Sequence, residues 1–167
     1  MSGVHVPKIV VITGGVLSGL GKGTAAASIA RLIKDGRKIV TVKCDGYLNV
    51  DPGTISPVEH GEVFVLADGG EVDMDFGHYE RFLDINCKFS WNLTSGKIFN
   101  SVITKERKGE FLGKTIQIFP HIVNEVLLWW ARIIEDEKPD ILLIEVGGTV
   151  GDIENSWYID AARFLKK

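Results

Sequence analysis

Three features of the sequence predict an α/β fold of the P-loop NTPase kind, three-layered, with a mostly parallel central sheet. First, the β-branched apolar run Lys8–Ile12 leads into the glycine-rich stretch Gly14–Gly23, and a helical pattern begins at Ala25. Second, Asp140–Val146 is almost continuously apolar, the signature of a central strand buried on both faces. Third, strand-like and helix-like segments alternate along 167 residues, with no repeat, linker or low-complexity stretch to divide them.

Taken in order, residues 8–13 read as the first strand and residues 22–35 as the first helix. Ala26, Ile29, Ala30 and Ile33 follow the i, i+3, i+4, i+7 rule, so one face packs on the sheet, and Asp35-Gly36 ends the helix. Lys38–Lys43 is a second strand, and the short links imply a parallel pair with a right-handed crossover. Residues 44–61 look irregular, punctuated by Gly46, Pro52, Gly53, Pro57 and Gly61; so long a connection tends to be functional or disordered. Glu62–Ala67 reads as a short strand, Asp68-Gly69-Gly70 as a turn and His78–Asp84 as a short helix. Residues 95–107 form a helix entered through Thr94 or Ser95, and Thr115–Phe119 is a further strand candidate. Pro120–Glu137 is the clearest helix, with proline at its start. Its residues Ile122, Val126, Trp129, Trp130 and Ile133 form a core or subunit-facing stripe. Pro139 ends it, Asp140–Val146 follows as the central strand, and Asn155–Lys166 is the last helix.

Bulk properties narrow the function. With 19 basic against 22 acidic residues, a nucleic-acid polyanion is not expected as the main partner. No apolar run reaches membrane-spanning length, so no membrane role is expected. Met1–Pro7 lacks the basic and apolar regions of a signal peptide. Cys44 and Cys87 have no metal-ligand spacing and read as reduced thiols, which places the expected location in the cytoplasm.

The chemistry gathers at the ends of strands, where ligands sit in open α/β sheets. A strand, a glycine-rich turn and a helix N-terminus make a phosphate cradle: glycines let backbone N–H groups approach, and a lysine reaches the outer phosphates. Here the lysine is Lys22, but the spacing departs from G-x-x-x-x-G-K-[ST]. Val16 stands six residues before it, Gly15 one further back, Gly23 follows, and the hydroxyl arrives only at Thr24. Lys43, Asp45 and Tyr47 close the second strand, and Glu145 the central one, before Gly147-Gly148. A carboxylate there suits Mg²⁺, which takes few carboxylates beside substrate phosphates and water; a structural acid is the competing reading. Asp73 and Asp75 would share one face if extended, as a cation site or an acidic turn. Asp152 and Glu154 are hydrogen-bond acceptors for a ligand or a helix cap with its first-turn acid. His60, His78 and His121 show no ligand spacing and read as packed or surface residues.

Several words of the chain resemble CTP synthase. They include Gly14-Gly-Val-Leu-Ser-Gly-Leu-Gly-Lys-Gly23, Asn49-Val-Asp-Pro-Gly-Thr54, Glu59-His-Gly-Glu-Val-Phe-Val65, Asp68-Gly-Gly-Glu-Val-Asp-Met-Asp75, Gly77-His-Tyr-Glu-Arg-Phe82, Lys105-Glu-Arg-Lys-Gly109 and Glu145-Val-Gly-Gly-Thr-Val-Gly-Asp-Ile-Glu154. The resemblance runs over about residues 8–165 and corresponds to the first part of the synthetase (amidoligase) domain. It implies a ligase that uses ATP to phosphorylate O4 of UTP, after which ammonia from a glutaminase domain displaces phosphate to give CTP. Position by position, Ser18, Gly19, Leu20, Gly21, Lys22, Gly23 and Thr24 would bind nucleotide phosphates, Ser18 touching the pyrimidine triphosphate. Lys22 and Lys43 would neutralise charge on the transferring phosphoryl group, and Asp75 and Glu145 would bind Mg²⁺. Asp152, Ile153 and Glu154 would line the site of product CTP. The family also implies a homotetramer.

Two places depart from the family's wording. Gly46 stands where the family has proline, which implies a looser loop beside Lys43, and Cys87-Lys-Phe-Ser-Trp91 replaces a polar stretch. The family's basic UTP-phosphate segment and the glutaminase both lie outside residues 1–167, so the chain is expected to be a partial domain with little or no activity alone. Two other readings stay open: a dethiobiotin-synthetase-like ligase, and a non-catalytic nucleotide-binding or assembly module.

Overall fold

The structure is a computed structural model that describes residues 6–15 and 21–165. Its frame is a four-stranded, all-parallel sheet of β1 (Lys8–Ile12), β6 (Ile141–Val146), β2 (Ile39–Asp45) and β5 (Asn92–Thr94), in that order. The expected parallel α/β architecture is therefore present, and the continuously apolar run is central. Every residue of β6 and of β2 is buried. β1 and β2 are parallel but not neighbours; β6 inserts between them and bonds to both. The strand–helix–strand order fixed their direction, and the continuously apolar β6 took the place between them, while β2 also bonds β5 on its other side.

Helix α1 (Lys22–Lys34) follows β1 and buries Ala26, Ala27 and Ala30. Small side chains let it lie close to the sheet, while Ile29 is 39% exposed and Ile33 only half-buried. α1 packs against α3 (Asp75–Leu83), and α4 (Ser95–Arg107), α5 (Val123–Glu137) and α6 (Ser156–Phe164) form a second group. The β1-to-β2 and β5-to-β6 crossovers run across the sheet in opposite directions, and with right-handed connections the two groups cover opposite faces. Thr94 is the N-cap of α4, accepting from the Lys97 N–H at 3.1 Å. Trp130 is fully buried and Trp129 half-buried, so the tryptophan pair belongs partly to the core.

Four segments differ from expectation. Residues 44–61 hold a 3₁₀ turn, Pro52–Thr54, and one helical turn, α2 (Pro57–His60), each capped by its preceding Asp51 or Ser56 side chain. Glu62–Ala67 contributes only β3 (Phe64–Val65), paired antiparallel with β4 (Glu71–Val72) around the Leu66–Gly70 turn. Thr115–Phe119 is not a strand. Ile118 and Phe119 are exposed, and the segment enters a wide turn, Ile118–Ile122, that delays the regular helix from Pro120 to Val123. The short α3 begins at Asp75, three residues early, because the Asp73 carboxylate accepts from the Asp75 N–H at 3.0 Å and turns the chain.

Candidate functional site

Register places the charges. Glu145 on β6 lies opposite Lys43 on β2 and Ile12 on β1, so the carboxyl ends of three strands meet beside the glycine-rich turn. A 620 Å³ cleft opens there, lined by Gly21, Lys22, Gly23, Thr24, Lys43, Asp45, Asp73, Asp75, Glu145, Gly147 and Gly148, with Glu59 and His78 at its side. Of the residues singled out from sequence, Gly21–Thr24, Lys43, Asp75 and Glu145 come together in one cleft. Ser18, Gly19 and Leu20 lie outside the described residues.

Lys43 is the hub of the cleft. Its Nζ bonds to Asp75 and lies 3.6 Å from Asp45 Oδ1, 3.7 Å from Asp73 Oδ2 and 3.8 Å from Glu145 Oε1. Burial works against its charge, but Asp45, Asp73 and Glu145 outweigh it and hold the ammonium well above the usual lysine range. Lys22 donates to the Gly148 carbonyl, which joins the helix start to the turn after β6. Burial lowers its pKa, and Glu145 opposes the shift. Glu145 is 1% exposed; burial raises its pKa, and Lys43 partly offsets that. Tyr79 donates to Glu145 Oε2 and fixes the carboxylate. Sequence reasoning passed over Tyr79, although it stands four residues after Asp75 and so on the same helix face.

Glycines make this convergence possible. A Cβ at Gly23 would lie 1.8 Å from Asp75 Oδ1, and one at Gly14 would lie 2.8 Å from Lys22 Nζ. The irregular loop spacing thus has a steric reason: the Asp75 carboxylate occupies the space that a side chain after the lysine would need. Gly147 is held bare by Asp45, whose Oδ1 would lie 2.4 Å from a Cβ there.

Asp45 is buried and its Oδ2 has no hydrogen-bond partner among the described residues. Burial pushes its carboxyl up to about 6, Lys43 pulling the other way. A raised carboxyl pKa means the folded state holds the proton more tightly than the unfolded chain. Its stabilising contribution is complete below about pH 4 and is lost as pH rises through about 6. Asp45→Asn should therefore flatten the stability–pH curve between these values and raise stability at pH 7 by about 1–3 kcal/mol relative to the parent. Urea unfolding at several pH values measures this, and equal pH slopes in the two proteins would contradict it.

Among the described residues no three Asp, Glu, His or Cys side chains form a preformed metal cage. The donors present, Asp75 and Glu145 with Asp45 Oδ2 unpartnered, are hard oxygens. They fit Mg²⁺, which takes one or two carboxylates and completes its shell with water and phosphate.

The third predicted group is not among the residues that line this cleft. Asp152, Ile153 and Glu154 are all exposed. Asp152 Oδ2 accepts from the Thr149 N–H at 2.8 Å, and this bond holds its carboxyl below the usual range. Ile153–Asn155 is a 3₁₀ turn that closes onto the exit of β2. A Cβ at Gly46 would lie 2.7 Å from Asn155 Oδ1, 2.8 Å from Glu154 Cβ and 2.9 Å from the Glu154 carbonyl. Gly46 therefore seats this turn tightly, rather than loosening the loop beside Lys43.

Among the described residues no helix is long and apolar enough to cross a membrane. Residues 8–167 match the family model described as CTP synthase N-terminus. The chain is 58% identical over 160 residues to CTP synthase of Borreliella burgdorferi, covering 96% of this chain and 30% of that protein. It is 56% identical over 157 residues to CTP synthase of Methanococcoides burtonii, covering 93% and 29%. Against CTP synthase of Dictyostelium discoideum it is 55% identical over 163 residues, again covering 93% and 29%. The chain thus spans about three-tenths of the length of these relatives.

Proposed function

Because this chain belongs to the CTP synthase family, we propose that it is the phosphate-handling part of an ATP-dependent ligase that aminates UTP to CTP. In this reading UTP is phosphorylated on O4, and ammonia from glutamine hydrolysis in a separate glutaminase domain displaces the phosphate. The observation that carries it is the meeting of Lys22, Lys43, Asp75 and Glu145 in one cleft beside a glycine-rich turn at the strand ends.

Phosphoryl transfer needs positioning and charge more than covalent chemistry. The backbone of Gly21–Thr24, together with Gly19 and Leu20, binds the ATP phosphates, and Ser18 touches the triphosphate of the pyrimidine nucleotide. Lys22 and Lys43 offset charge on the transferring group. Asp75 and Glu145 hold Mg²⁺, which neutralises phosphate charge when bound. Tyr79 keeps Glu145 in its inward rotamer. Asp152, Ile153 and Glu154 line the pyrimidine end, where a carboxylate accepts from the 4-amino group of product CTP, a group uracil lacks. The setting is the cytoplasm, and the working assembly is a homo-oligomer.

Isothermal titration tests the reading. ATP with Mg²⁺ should bind the chain weakly but stoichiometrically, and Lys22→Met should weaken binding at least about tenfold, as loss of one charge-assisted contact does. Unchanged affinity in a folded Lys22→Met protein would refute the assignment. Turnover of UTP, ATP and ammonia by the chain alone should be poor or absent, because the family's basic UTP-phosphate segment is not among residues 1–167. Rapid CTP formation would show that this segment is dispensable.

A further inference from the structure

A second cleft shares no residue with the first. It has a volume of 440 Å³ and lies where the loop after β2, the turn Phe89–Trp91, α4 and α5 meet. Val50, Phe89 and Trp129 supply apolar walls, Asn100 a polar rim, and Lys97 an amine. The turn that carries Phe89 belongs to Cys87–Trp91. It is firmly seated: Phe89 N–H donates to Asp68 Oδ2 at 2.8 Å, and Trp129 Nε1 donates to the Ser90 carbonyl at 2.9 Å.

Lys97 is the unusual member. It is only 7% exposed. Its Nζ donates to the Asn92 carbonyl at 2.9 Å and sits 3.4 Å from the centroid of the Phe89 ring. Among the described residues no carboxylate comes within ion-pair distance of it, whereas the buried Lys43 has four. Burial lowers its pKa to about 8, although Asp51 and Asp68 pull the other way from a distance. A buried cation without an anionic partner is costly. A carbonyl and a ring face satisfy only part of its donor capacity.

We propose that this cleft is a second ligand site, independent of the triphosphate cleft, which takes a small planar aromatic carboxylate. The ring lies against Trp129, and the carboxylate accepts from Lys97. The size suits such a molecule, since small-ligand pockets begin at about 300 Å³ and are largely apolar with a few placed polar groups. Stacking supplies the area, and the missing counter-ion supplies selectivity for an anion over its neutral isostere.

The test uses 2-naphthoate and its neutral analogue 2-naphthamide, titrated into the unmodified chain and followed by the Trp129 indole N–H resonance. Naphthoate should bind at least about tenfold more tightly than naphthamide, the usual margin for a charge-assisted over a neutral contact. Mg²⁺ and ATP should leave both affinities unchanged. Lys97→Met, which keeps the apolar stem, should abolish the preference while leaving naphthamide binding in place. Equal affinities for the two probes would overturn the proposal without recourse to any variant. So would shifts confined to the residues of the first cleft, or a preference that survives in Lys97→Met.

Discussion

Replacing Lys43 by methionine should destabilise the chain by roughly 3–5 kcal/mol and, in the same protein, tighten divalent-cation binding at least about tenfold. The two effects have one cause. The Lys43 ammonium is the shared counter-ion of Asp45, Asp73, Asp75 and Glu145, and Glu145 and Asp45 are buried. Without it four acids face one another at the base of the cleft, and their repulsion weakens the ends of β2 and β6 and the start of α3. Asp75 and Glu145, the acids assigned to Mg²⁺, then have no internal competitor. In this structure the lysine holds the carboxylates that the metal would hold, so metal binding includes the displacement of an ammonium. For a chain of this size the loss corresponds to a fall in Tm of roughly 6–20 °C in chelator. Millimolar Mg²⁺ should recover a larger share of Tm in the variant than it adds to the parent. The deficit should also shrink toward pH 5, where carboxyls already raised by burial take up protons. Lys43→Arg keeps the charge and should show little of either effect. Melting curves with chelator and with Mg²⁺ decide the matter: a Lys43→Met protein that melts like the parent in chelator, or that Mg²⁺ does not rescue, would remove Lys43 from the centre of the site.

How much of this was readable beforehand depended on how local each signal was. The central position of β6 was legible because an uninterrupted apolar run is tolerated only where both faces are covered. Lys22 was legible from the glycine-rich turn before it and the helix it starts, and Glu145 because it is a lone charge near the end of the central apolar run. β5 was not legible, because Asn92-Leu-Thr94 is three residues long and carries no alternation; its pairing with β2 is a tertiary event. Thr115–Phe119 failed in the opposite direction. It has strand composition, but it pairs with neither outer strand of the sheet, β1 or β5, and an apolar segment without a ladder partner stays irregular. The acidic pair shows the same limit within the site. Alternation suggested an extended stretch with both carboxylates on one face, and both do lie near Lys43. They arrive there differently: Asp73 caps the turn and Asp75 opens α3, and the packing of α3 on α1 delivers them. Tyr79 escaped notice because its role exists only once that helix lies over Glu145.

The irregular loop leads to a second large effect, one that runs against the motif. Gly23→Ser would place a hydroxyl directly after the lysine and so bring the sequence closer to the standard phosphate loop. It should nevertheless abolish Mg²⁺-dependent nucleotide binding, lowering affinity by about a hundredfold, while changing stability by less than about 1 kcal/mol. The reason is spatial. The new Cβ would lie 1.8 Å from Asp75 Oδ1 and 2.4 Å from Asp75 Cγ, so the carboxylate must rotate away. Swinging the end of a side chain that is not fully buried costs the fold little, and the bond from the Asp75 N–H to Asp73 keeps the helix start in place. The loss therefore falls on function: Asp75 leaves Lys43 and no longer faces Glu145 across the cleft. A serine oxygen does not replace a carboxylate there, because it is neutral and arrives on the α1 side of the site. Gly23→Ala makes the same displacement without a hydroxyl and should behave alike, which separates steric expulsion of Asp75 from any new coordination by serine. Titrating ATP with Mg²⁺ into both variants, beside urea unfolding, provides the comparison. If Gly23→Ser binds nucleotide as well as the parent, the Asp75 carboxylate is not what the bare position after the lysine is there to admit.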